Sequence, residues 1–143
     1  MHFITGGAYN GKSTWVKEFY QLNNQDYRWI SAYKNESFPD DLSIYHEKII
    51  VLEGVEQWIL KMIEDNASCD HREKGRENIQ AWTNLETLDR KLAVIGTDIS
   101  KGIVPIGTID RIWRDTTGWF YQDLVAKCDR FDLVWYGIAK QLK

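Results

Sequence analysis

Apolar positions alternate between two kinds of pattern along the chain. Short continuous runs, bounded by polar residues or glycine, fall at His2–Thr5, Tyr27–Tyr33, Lys48–Gly54, Lys91–Gly96 and Phe131–Tyr136. Their β-branched and aromatic content predicts strands, and an unbroken run such as Ile49-Ile50-Val51-Leu52 suits a parallel strand covered on both faces. Between them the spacing changes to a helical one. Trp15, Val16, Phe19 and Tyr20 recur at i, i+1, i+4, i+5. Trp58, Ile59, Met62 and Ile63 share one face of a helix over Val55–Asp65. Ile79, Trp82, Leu85 and Leu88 do so over Glu77–Asp89, and Phe120, Leu124 and Cys128 over a long helix from Ile109 to Cys128. Strands alternating with helices predict an open, mostly parallel α/β sheet.

The polar stretches supply the connections. Asn23-Asn24-Gln25-Asp26 reads as a loop, Lys34–Ser43 as an aperiodic surface connection containing Pro39-Asp40-Asp41, Asn66–Lys74 as a break, and Ser100–Thr108 as a Gly- and Pro-containing loop. Gly137 ends the final strand. No internal repeat, low-complexity tract or linker interrupts the chain, so 1–143 is expected to form a single domain.

The first strand runs directly into Gly6-Gly7-Ala8-Tyr9-Asn10-Gly11-Lys12-Ser13-Thr14, a full match to G-x-x-x-x-G-K-[ST] between a strand and a helix. Gly6 and Gly11 let the backbone approach phosphate. The successive N–H groups of the loop form an anion nest at a helix N-terminus. Lys12 reaches the β- and γ-phosphates, and Ser13 places its hydroxyl on Mg²⁺. Residues 6–14 are therefore the expected site for a nucleoside triphosphate, and the fold the sequence predicts is a P-loop NTPase-type three-layer α/β domain with a mostly parallel central sheet.

Two further strands end in acids on the same sheet edge, where open α/β sheets bind ligands. Glu53 either partners the metal or caps the next helix. Asp98 either orients a nucleophile or assists the metal, or is an Asx-turn residue. Arg111 and Arg114 stand at the start of the last helix, where arginine can stabilise transition-state charge or form a surface ion pair.

Composition narrows the classes of function. The chain is 43% hydrophobic and 27% charged with a net charge of −3, which is globular, and its scattered Lys and Arg argue against a nucleic-acid surface. No apolar run approaches a membrane span, and the first residues lack a signal-peptide layout, so a cytoplasmic location is the expectation. Cys69 and Cys128 lack metal-ligand spacing; Cys128 is read as a small core residue. Cys69 and His71 flank Asp70 in a loop, and solvated surface is preferred there to a metal site. Seven Trp and seven Tyr serve mainly as core and rim packing, with a few available to stack on a base or flat ligand.

The C-terminal third carries a resemblance. Lys101-Gly102-Ile103-Val104-Pro105, Arg111, Arg114-Asp115 with Gly118, Gln122, Asp129, Val134, Gly137 and Leu142-Lys143 resemble the adenosylcobinamide kinase / adenosylcobinamide-phosphate guanylyltransferase family. Gly6-Gly7-Ala8 and the strand-end acid Glu53 fit it as well. The resemblance implies a P-loop kinase that transfers the γ-phosphate of ATP or GTP to the aminopropanol hydroxyl of adenosylcobinamide, in cobalamin biosynthesis. It also implies Lys12 and Ser13 on nucleotide and Mg²⁺, Asp98 in the place of a family glutamate, and assembly into homo-oligomers. Two departures are visible. Thr97-Asp98 replaces the family's Asn-Glu, and the stretch that carries the guanylyl-accepting histidine is shortened to Ala32–Glu47, with His46 and no Arg-Pro. His46 is read as beginning a strand. The expectation is a kinase without guanylyl transfer. The competing expectation is a nucleotide-binding or slowly hydrolysing module that has lost the corrinoid reaction and acts through a protein partner.

Overall fold

The computed structural model of the chain describes residues 1–39, 41–65, 70–85 and 90–143. Asp40, Cys69 and the last four residues of the predicted Glu77–Asp89 helix, Leu88 among them, lie outside the described residues. The elements in order are β1 (His2–Gly6), α1 (Lys12–Phe19), β2 (Tyr27–Ser31), β3 (Ile49–Glu53), α2 (Val55–Asp65), α3 (His71–Leu85), β4 (Lys91–Thr97), α4 (Thr108–Lys127), β5 (Arg130–Trp135) and β6 (Ile138–Gln141). Among the described residues the six strands make one sheet, ordered β2-β3-β4-β1-β5-β6. All neighbours are parallel except β5 and β6.

The continuous apolar runs of β1, β3 and β4 have the meaning their composition implied. Successive residues point to opposite faces, and both faces are covered. Phe3, Ile50, Leu52, Leu92 and Val94 meet α2, α3 and α4 in one core. Ile4, Ile49, Val51, Ala93, Ile95 and Val134 meet Val16 of α1 in the other. These three layers are the P-loop NTPase-type architecture predicted from the sequence. Cys128 ends α4 and is buried in the first core, as expected.

Several local expectations need correction. The second strand stops at Ser31 rather than Tyr33, because Ala32–Lys34 wind into a 3₁₀ turn closed by Asn35 in the left-handed region. The third helix begins at His71, six residues before Glu77: the Asp70 carboxylate accepts the N–H groups of Arg72 and Glu73 and caps it. Gly75 is inside that helix, where a Cβ would stand 2.9 Å from the Phe120 ring of α4. Residues 34–43 are more than a surface connection. Phe38 packs on Trp58 and Trp82, and Leu42 is buried. His46 begins no strand; it is exposed, ahead of β3. The antiparallel strand β6 was not anticipated at all.

Candidate functional site

The carboxyl ends of β1, β3 and β4 converge on a cleft of about 700 Å³. Residues 8–14 form one wall; Tyr33, Glu53, Glu56, Gln57, Ile95, Thr97 and Ile99 form the rest. Parallel strand direction is what gathers them. Residues ending β1 and β3, and those starting α1 and α2, all emerge at the same edge.

Gly11 adopts a left-handed conformation (φ 85°) and α1 starts at the next residue, so the loop turns directly into the helix N-terminus. Lys12 is buried, and its ammonium donates to the carbonyls of Gly6 at 3.2 Å and Gly7 at 2.8 Å. Burial lowers its pKa, opposed by the negative charges of Glu56, Glu53 and Asp98. A desolvated ammonium beside a helix N-terminus is chemistry that an anionic ligand could use.

Glu53 ends β3 two strands from β1, yet its carboxylate reaches α1. One oxygen accepts the Ser13 hydroxyl; the other accepts Trp29 Nε1 at 2.9 Å and Ser31 Oγ at 2.7 Å. Burial pushes the Glu53 carboxyl up, but the hydrogen bonds from Ser13, Ser31 and Trp29 outweigh it and hold its pKa below the ordinary value. Of the two readings left open for Glu53, the helix-cap one finds no support in these partners: the carboxylate is turned toward Ser13.

Asp98 takes a different position. Its backbone N–H donates to Gly6 O at 3.0 Å, which ties the loop after β4 to the phosphate loop. Its carboxylate accepts the N–H and hydroxyl of Ser100 and faces Lys101 at 3.6 Å. This is the Asx-turn arrangement, and Asp98 is not among the cleft-lining residues. Burial pushes the Asp98 pKa up, but the Ser100 hydrogen bonds and the nearby Lys101 charge outweigh it and hold the group below its ordinary value. Arg111 and Arg114 stand on the first turns of α4, also outside the cleft lining.

Sequence reading overlooked Glu56. It is 1% exposed at the start of α2, with one carboxylate oxygen accepting the Tyr33 hydroxyl and the other accepting Thr97 N at 2.9 Å and Tyr121 Oη at 3.3 Å. Tyr33 Oη also meets Thr97 Oγ1 at 3.0 Å. Burial, together with Glu56, raises the pKa of both phenols, so they remain hydrogen-bond donors. In sequence an acid in a first helical turn reads as a solvated partner of the helix dipole. Residues distant in sequence, Tyr33, Thr97 and Tyr121, close around it.

The chain was compared with protein-family models and with curated proteins. Residues 23–142 match the model described as cobinamide kinase / cobinamide phosphate guanyltransferase. The chain belongs to that family. The matched segment begins beyond the phosphate loop, so the loop at residues 6–14 and the family match are independent observations on adjoining parts of the chain. The comparison with curated proteins finds no match. Membership in the cobinamide kinase / guanyltransferase family places the chain among nucleotide-dependent transferases of cobalamin biosynthesis. No helix among the described residues is long and apolar enough to cross a membrane.

Proposed function

We propose that this chain carries out the kinase half of the family's chemistry, transferring the γ-phosphate of ATP or GTP to the hydroxyl of a corrinoid such as adenosylcobinamide, without guanylyl transfer. The observation that supports it most is the content of the cleft: a phosphate loop with Lys12, the Ser13–Glu53 pair, and none of the three histidines of the chain. His46 precedes β3 and so lies at the opposite edge of the sheet, with roughly 17 Å of strand between. His2 starts β1 at that same far edge and is engaged by Asp132 and Tyr20. His71 heads α3, beside Asp115 and Trp119 rather than in the cleft. A covalent guanylyl carrier must reach the nucleotide, and no histidine is in that position.

Phosphoryl transfer needs mainly alignment and charge neutralisation. Lys12 and the N–H groups of residues 7–13 bind and orient the polyphosphate. Ser13 and Glu53 offer hard oxygen donors, a hydroxyl and a carboxylate, and this chemistry fits Mg²⁺; the ion would neutralise charge between the β- and γ-phosphates. Trp29 and Ser31 hold the Glu53 carboxylate in place. Asp98 fixes the rim of the phosphate loop through its backbone and adds negative potential near Lys12. The turn after β2, the end of β4 and the loop after it contribute Tyr33, Thr97 and Ile99 to the cleft, and this is where an acceptor would lie.

The test is transfer of labelled γ-phosphate from ATP or GTP to adenosylcobinamide with Mg²⁺, run beside Lys12→Ala. Lys12-dependent label on the corrinoid is expected. Nucleotide binding with no labelled acceptor would refute the kinase reading and leave the partner-acting nucleotide module, for which the exposed Ile103, Val104 and Ile106 offer a surface.

A further inference from the structure

The phosphate loop has two flanks. Toward β4 and β3 lie Lys12, Ser13, Glu53 and the acceptor side of the cleft. On the other side β1 pairs with β5, and there the β5–β6 turn rises against the loop. Gly137 N–H donates to Asn10 O at 2.8 Å. The contact is tight: a Cβ on Gly11 would come within 3.3 Å of Gly137 Cα. The turn is therefore fixed to the last residues of the phosphate loop.

At this turn the chain presents two large aromatic side chains to solvent. Trp135 is 63% and Tyr136 80% exposed, and their rings are stacked at 5.9 Å with 25° between planes. Neither packing nor turn chemistry accounts for them. Tyr136 has φ 50° and Gly137 φ 80°, the positive-φ pair of a two-residue hairpin turn, for which Asn-Gly or Asp-Gly is the ordinary choice. A bulky aromatic residue in the left-handed region is unfavourable, and such outliers gather where function uses them. The tip of the phosphate loop adds a third exposed aromatic, Tyr9 (φ 58°).

We propose that the Trp135–Tyr136 turn is the platform on which the nucleobase of the bound triphosphate stacks. The inference rests on the nucleotide reading of the preceding subsection. With the γ-phosphate end directed at Ser13 and Glu53 on the β3 side, the nucleoside leaves the loop on the β5 side, and the aromatic turn is the surface it meets there. Stacking offers every base the same π-face and carries little base discrimination. The platform therefore accepts adenine and guanine alike, and ATP and GTP should bind with affinities within a few-fold of each other.

Binding of MgATP, MgGTP and Mg-tripolyphosphate is measured by calorimetry on the full chain, on Trp135→Ala/Tyr136→Asn, and on Lys12→Ala. Asparagine suits the turn, so the hairpin is kept, and a thermal melt of the double variant verifies folding. In the double variant ATP and GTP should each weaken about tenfold or more, while tripolyphosphate, which has no base, binds as it does to wild type. An unchanged ATP and GTP affinity in the folded double variant would overturn the platform, leave the phosphate site standing, and point to a protein-facing role for the two rings. Loss of tripolyphosphate and ATP binding only in Lys12→Ala supports the phosphate site independently. Failure of wild type to bind any of the three would overturn both readings.

Discussion

Ser13 donates its hydroxyl hydrogen to Glu53, forty positions away in sequence. The contact joins the first turn of α1 to the end of β3, with β4 lying between β3 and β1, the strand that leads into α1. It brings a hydroxyl and a carboxylate held below its ordinary pKa together beside the loop of residues 6–14, and on the proposed kinase reading these two oxygens hold a divalent ion.

Glu53→Gln should therefore separate metal from nucleotide. The amide keeps the shape and accepts through one oxygen, but it removes the charge. The Mg²⁺-dependent part of ATP affinity should fall about 10–100-fold, while affinity in EDTA stays near that of wild type. Paired titrations with and without the ion decide it. Equal Mg²⁺ dependence in both proteins would remove Glu53 from the metal role.

Glu56 has a structural consequence that does not depend on nucleotide. Glu56→Ala leaves the Thr97 N–H without its acceptor and takes one of two partners from each of the Tyr33 and Tyr121 hydroxyls, which keep Thr97 Oγ1 and Thr97 O at 3.0 Å. A buried donor left without its acceptor costs about 1–3 kcal/mol. Urea unfolding should show that loss, with Glu56→Gln intermediate because it still accepts. A change below about 1 kcal/mol in the alanine variant would contradict the network as described.

Two glycines should respond to alanine with opposite signs. A Cβ at Gly6 would lie 2.1 Å from the carbonyl oxygen of Val134, a backbone atom of the neighbouring strand that cannot turn aside. Overpacking of this kind costs about 1–3 kcal/mol, and it would push the phosphate loop away from β5, so ATP affinity should fall as well. Gly118, inside α4, has open space where a Cβ would go; Gly118→Ala should stabilise by about 0.4–1 kcal/mol through the unfolded chain. Thermal melts of both variants check the pair. Stabilisation by Gly6→Ala would refute the close β1–β5 approach.

What the sequence made legible was whatever is repeated over several residues. Ile49-Ile50-Val51-Leu52 and Leu92-Ala93-Val94-Ile95 had to be strands buried on both faces, and the Gly6–Thr14 spacing marked the loop. Interactions made by single residues across the fold were not legible. Glu56 looks like any first-turn acid until Tyr33, Thr97 and Tyr121 close around it. Strand β6 has four residues, mostly exposed, and hangs on the Tyr136–Gly137 turn, whose tyrosine disguises a hairpin. The place of Gly75 inside a helix was hidden in the same way, because the Phe120 ring that excludes a side chain there belongs to α4. The Glu53 and Asp98 ambiguity had the same origin. Both are strand-end acids, and only the three-dimensional partners separate one turned to Ser13 from one turned to Ser100.

Far from the cleft, His2 gives the fold an acid limit. Its Nε2 meets Asp132 Oδ2 at 2.8 Å and its Nδ1 meets the Tyr20 hydroxyl at 2.8 Å, and Arg130 is also paired with Asp132. With the Asp132 charge already balanced by Arg130, the neutral ring suffices: Nε2–H donates to the carboxylate and Nδ1 accepts from tyrosine. Burial is the main cause that lowers the His2 pKa from 6.5 to about 4, against the opposing pull of Asp132. The unfolded chain therefore binds the proton first. Stability from His2 is complete above about pH 6.5 and is lost as pH falls through about 4, a total of roughly 3 kcal/mol. His2→Gln retains a donor and an acceptor but does not titrate, so its unfolding free energy should be flatter between pH 6.5 and 4 than that of wild type. Urea melts across that range measure the difference directly. Parallel curves for the two proteins would show that the histidine takes up its proton equally in the folded and unfolded chain, and the neutral-ring network would be wrong.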